Sequence, residues 1–79
     1  MSRRPSRAEM LELAADREKC AARSQRAAQS AREAAANPAN SDTTRRQAAA
    51  TIRIAENHAR DYREEAAALR DGRIPGEDW

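Results

Sequence analysis

The amino-acid sequence predicts an all-α fold in which two long helices fold back on each other as an antiparallel hairpin. Three observations predict it. Good helix formers run from Ser6 to Asp71 with a single interruption, at Asn37-Pro38-Ala39-Asn40-Ser41. The two runs are nearly equal, about 43–46 Å each at a rise of 1.5 Å per residue, and so short a connection joins antiparallel neighbours. Small apolar residues also recur every seven positions in both runs, as a supercoiled helix pair requires.

The elements follow from local signals. Residues 1–5 are expected to form a flexible basic N-terminus. Ser6-Arg7-Ala8-Glu9 matches a capping box, in which the serine hydroxyl and the glutamate carboxylate each satisfy an orphan backbone N–H. Helix one is therefore placed over residues 6–36. The residue before a proline avoids helical dihedrals, and Asn and Ser favour turns, so residues 37–41 form the turn. Ser41 or Asp42 caps helix two over residues 42–71, and Thr44 with Gln47 offers a further capping-box match. Gly72 is placed as its left-handed stop. Residues 72–79 form a tail with a Pro75-Gly76 turn and a terminal Trp79.

The seam of helix one reads Leu13-Ala14, Cys20-Ala21, Ala27-Ala28 and Ala34-Ala35, with Met10, Ser24 and Ala31 alongside. In helix two, Ile52, Ala59 and Ala66 alternate with Ala48, Ala55, Tyr62 and Leu69. Closing the hairpin sets Ile52 against Ala27 and Ala28, Ala59 against Cys20 and Ala21, and Leu69 against Met10 and Leu11. Tyr62 then falls opposite Arg17, where a guanidinium can stack on the ring. Leu11 and Ile54 fit this seam poorly and point to a second contact surface, most economically a dimer that makes a four-helix bundle. An extended helix that pairs with a second chain across an opened Asn37-Pro38 hinge is the alternative architecture.

Composition explains why a partner is expected. The chain has 20 alanines against three leucines and three isoleucines, with no valine or phenylalanine. A buried alanine methyl gains about 0.8 kcal/mol and a buried leucine or isoleucine about 1.5–3 kcal/mol. Ordering a residue costs about 1.5 kcal/mol, so one hairpin alone is marginal. The charge is dense but balanced at +2, and Lys19 is the only lysine. Arginine over lysine, with so much alanine, is the codon signature of a GC-rich genome, bacterial or phage. Cys20 stands alone, which excludes an internal disulfide framework and favours a reducing compartment. The twin arginines Arg3-Arg4 lack a following apolar segment, so neither an export signal nor a membrane span is read and a cytoplasmic location is expected.

Catalytic chemistry finds little footing. Cys20 lies on the seam and is read as a small buried hydrophobe, not a nucleophile. His58 has Asp61, Tyr62 and Glu65 at helical spacing, but one histidine among carboxylates is a weak metal signature. No glycine-rich phosphate loop or Cys/His ligand spacing occurs. No enzyme activity, catalytic residue, cofactor or metal is therefore expected.

The leading expectation is a non-enzymatic helical protein-interaction module, a small adaptor or regulator. Its partner is another protein or itself, and Leu11, Ile54 and Trp79 supply the apolar anchors. The rival is a nucleic-acid-binding regulator. Arg46, Arg53 and Arg60 recur every seven residues along helix two, with Arg63 and Arg70 beside them and further basic residues at Arg3, Arg4, Arg7, Lys19, Arg23 and Arg26. Against that rival, Glu56 and Glu64 lie within ion-pairing reach of Arg60 along the same helix. A structural subunit of a larger assembly is the third reading. Neither helix carries the wide bulky apolar face of a membrane-surface helix.

Overall fold

The computed structural model describes residues 4–76; Trp79, one of the expected anchors, lies outside the described residues. Two helices, α1 (Arg7–Ala36) and α2 (Asp42–Arg70), pack along their lengths as a hairpin, and no strand occurs among the described residues. The molecule is a rod of 54 × 19 × 18 Å with a radius of gyration of 16.6 Å. A compact globule of this length would have a radius of gyration of about 12 Å. Two helices side by side cannot enclose an interior, so burial follows the line where they touch, apart from Ala68, buried about 200° round α2 from Ala66.

Each end of each helix is closed by identifiable groups. Ser6 is the N-cap of α1: its Oγ accepts from the Glu9 amide at 3.1 Å, and the Glu9 carboxylate accepts from the Ser6 amide at 3.3 Å. Pro38 forces Asn37 into an extended conformation, which ends α1. The turn is held by Asn37 Oδ1 accepting from the Ala39 amide and by Asn40 Nδ2 donating to the Ala34 carbonyl, both at 2.9 Å. Ser41 caps α2 by accepting from the Thr44 amide at 3.2 Å. Thr44 and Gln47 lie inside the helix and do not form a second capping box. At the far end, Gly72 at φ +80 closes a Schellman motif: the Arg73 amide donates to Ala68 and the Gly72 amide to Leu69.

The buried line is almost entirely alanine. Met10, Ala14, Ala21, Ala28 and Ala31 are buried on α1, and Ala48, Ala55, Ala59, Ala66, Ala68 and Leu69 on α2. Ile52, Tyr62, Ser24 and Arg17 fill the remaining seam positions, half-buried. The seam is narrower than the sequence pairs suggest. Ala14, Ala21 and Ala28 are buried, whereas Leu13 and Ala27 are exposed and Cys20 is half-buried. A step of 100° per residue carries the first member of each pair out of a line that only one partner helix covers. The bulkiest contacts gather at the open end, where Met10, Ala14, Ala66 and Leu69 form one cluster and Ile74 of the tail packs against it. Leu69 meets Met10 as expected, while Leu11 turns outward. Among the described residues, no helix is long and apolar enough to cross a membrane.

Candidate functional site

Polar contacts between the helices define two sides of the rod. On one side Glu18 pairs with Arg70 and Arg32 with Glu56. Gln25 and Arg63, midway between these pairs, line a shared cleft. One flank therefore carries Glu18, Gln25 and Arg32 from α1 against Glu56, Arg63 and Arg70 from α2. On the other side Leu13 and Glu65 line a groove with Arg17, Leu69, Ile74 and Pro75. Arg17 Nε reaches Glu65 at 3.0 Å, one turn beyond the Tyr62 ring expected to receive it. A carboxylate offers a cation more than a ring quadrupole does.

The apolar side carries Leu13, Cys20 and Ala27 at seven-residue spacing on α1. Ile54 joins them from α2, between Thr51 and His58 on the flank that ends at Glu65. Ile54 is 56% exposed and Leu13 40%. Leu11, 43% exposed, lies on the opposite flank in line with Glu18 and about 22 Å along the rod from Ile54, given that its neighbour Met10 packs on Leu69. The structure therefore does not bring the expected anchors Leu11 and Ile54 together. It places Ile54 on the same flank as Leu13, which the sequence pattern had assigned to the seam, with about 18 Å of rod between them. Only the identity of the one contacted flank separates the two leucines, and periodicity alone could not supply it.

The arginine side is more uniform. Arg46, Arg53 and Arg60 are exposed in a row on α2, beside Arg63. Glu56 turns across to Arg32 and leaves Arg60, whose Nη2 donates to Asn57 Oδ1 at 3.3 Å. Among the described residues, Arg46, Arg53, Arg60 and Arg63 have no carboxylate partner. Of the two glutamates expected to pair with Arg60, Glu56 thus pairs between the helices and Glu64 makes no ion pair among the described residues. The floor between the rims is small: a cleft of about 370 Å³ is lined by Ala28 and Ala59 with Arg32, Glu56, Arg60 and Arg63. A second, lined by Ala35, Ala49, Asp42, Arg45 and Arg46, lies nearer the turn, where Arg45 pairs with Asp42 through its Nη2 and its buried Nε has no hydrogen-bond partner.

The N-terminal arginines are used differently. Arg7 donates to the Arg70 carbonyl, an orphan acceptor of the last turn of α2, and Arg4 to the Gly72 carbonyl just beyond it, so both cations sit near the negative end of the α2 dipole. Direct hydrogen bonding to Arg70 holds the Glu18 carboxyl below the usual glutamate range and raises Arg70 in turn. His58 is exposed and Cys20 is a free thiol, and no three His, Cys, Asp or Glu side chains among the described residues group to hold a metal.

No protein family, curated protein or solved structure matches this chain. What the two faces do is therefore argued from their chemistry.

Proposed function

We propose that the chain is a non-enzymatic protein-interaction module, a small adaptor or regulator that works by helix-on-helix packing, and that its first partner is a second copy of itself in a four-helix bundle. One observation carries the reading: the large aliphatic side chains are on the wrong side. Nine of the eleven buried residues are alanine, while Ile54, Leu11 and Leu13 are exposed. A sequence selected only for a stable hairpin would place those three in the seam, where each gains about 1.5–3 kcal/mol on burial. Left outside, they favour association. The surface area agrees. The chain exposes 5745 Å², against about 4,800 Å² for a compact protein of 8.8 kDa. The excess, on the order of 900 Å², is close to the ~800 Å² that each partner commits to a standard interface.

Light scattering over a concentration series tests this. The expected outcome is a mass that rises toward twice 8.8 kDa, with Ile54→Glu remaining monomeric and fully helical. A wild-type chain that stays monomeric throughout would overturn the self-association reading.

A further inference from the structure

Beyond self-association, we propose that the arginine side is a second docking surface, and that its occupant is an α-helix of a different protein carrying Glu or Asp at seven-residue spacing. The inference rests on the flank opposite Ile54 and does not depend on what that residue contacts.

Three features carry it. The first is an excess of positive charge: the inter-helix pairs consume Glu18 and Glu56, Arg45 takes Asp42, and Arg46, Arg53, Arg60 and Arg63 make no ion pair among the described residues, with Glu64 standing beside them. The second is shape. The row is straight, as the helix beneath it is, and runs about 21 Å from Arg46 to Arg60 with guanidinium-bearing positions about 10.5 Å apart, Arg63 lying beside its end. A partner helix laid alongside repeats at the same interval, so each arginine meets an acidic residue one heptad from the last. The third is the floor. Ala28, Ala35, Ala49 and Ala59 line the two clefts between the rims. Ala28 and Ala59 are already buried in the seam, so a third helix resting on the rims meets no bulky apolar side chain between them.

The same features weigh against nucleic acid. Glu56 and Glu18 stand within this flank and would face any phosphate backbone laid along it. A protein helix accommodates both by offering a polar or basic side chain between its acids. Base stacking needs an aromatic platform, and the flank has none among the described residues.

Fluorescence anisotropy with defined probes decides between these. The full chain is titrated into a labelled alanine-rich helical peptide with glutamates at seven-residue spacing, an isomer with the same glutamates spread around the helix, and a short duplex DNA. The expected result is binding of the spaced peptide at least about tenfold tighter than of the isomer or the DNA, weakening from about 50 to 200 mM salt. Arg46→Glu, Arg53→Glu and Arg60→Glu together abolish it, the corresponding glutamine variant weakens it, and Ile54→Glu leaves it unchanged. Circular dichroism on each variant confirms that the hairpin is intact. Equal binding of the two peptides would overturn the inference as a diffuse basic surface. Tighter binding of DNA, lost in the glutamate variant, would overturn it in favour of a nucleic-acid surface, and binding of no probe would overturn it outright.

Discussion

At the scale of single residues, the hairpin depends on a few side chains that supply what the backbone cannot. Gly72 takes φ +80, and a Cβ there would meet nothing within 4 Å, so Gly72→Ala isolates backbone strain from steric clash. It should cost about 1–2 kcal/mol, read as a lower melting temperature with unchanged helix content. Ser6→Ala removes one partner of the capping box and should cost about 1 kcal/mol in the same measurement. Glu18 titrates differently from an isolated glutamate because Arg70 hydrogen-bonds its ionised form. Its folded-state pKa is depressed, so the stability it contributes is fully present above the ordinary value of 4.5 and is lost as pH falls through the lowered one. Glu18→Gln should therefore flatten the acid limb of the pH–stability curve, and an unchanged limb would mean that the pair forms no better in the folded chain. The capping serines, Pro38 and Gly72 were all legible in the sequence, because caps and stops act within a few residues. The use of Arg4 and Arg7 on the carbonyls ending α2 was not, since their acceptors lie more than 60 residues away.

At the scale of the helices, alanine sets the geometry. Close approach gives many weak contacts in place of a few large ones, and the line of contact is one residue wide. That makes the seam intolerant of size. Ala28 is 2% exposed, and Ala28→Leu should destabilise by about 1–3 kcal/mol through overpacking. Ala15→Leu, next to the buried Ala14 but exposed and off the Ile54 side, should change the melting temperature little. Equal effects of the two substitutions would sink the register. The seven-residue repeat was readable because it recurs four times in α1, but the pairs Leu13-Ala14 and Ala27-Ala28 present two candidates for each seam position. Packing buried the second member in the first three pairs, Ala14, Ala21 and Ala28, and left Ala34 and Ala35 both half-buried.

At the scale of the whole molecule, a rod 54 Å long has more surface than its few bulky side chains can justify burying internally. Opposite sides then diverge in character, with Leu13, Cys20, Ala27 and Ile54 on one and the arginine row on the other. If two copies associate as proposed, the melting temperature should rise with protein concentration, because mass action favours the folded dimer. A melting temperature independent of concentration over two decades would place all the stability within one chain. Two dissimilar faces on one short rod suit a molecule that holds one copy of itself and one other protein at once.

Two helices, their caps, the turn between them and a contact line of small residues can all be read from the order of the amino acids, because each depends on backbone chemistry or a periodicity that operates locally. Only the tertiary structure decided which flank each side chain joins. That choice put Leu11 on the flank opposite Ile54 and Leu13 on the same one, and it drew Glu56 across to Arg32, away from the arginine row of α2. The physical reason is that a helix presents every flank equally until a neighbour covers one of them, and the neighbour here lies on the far side of a turn.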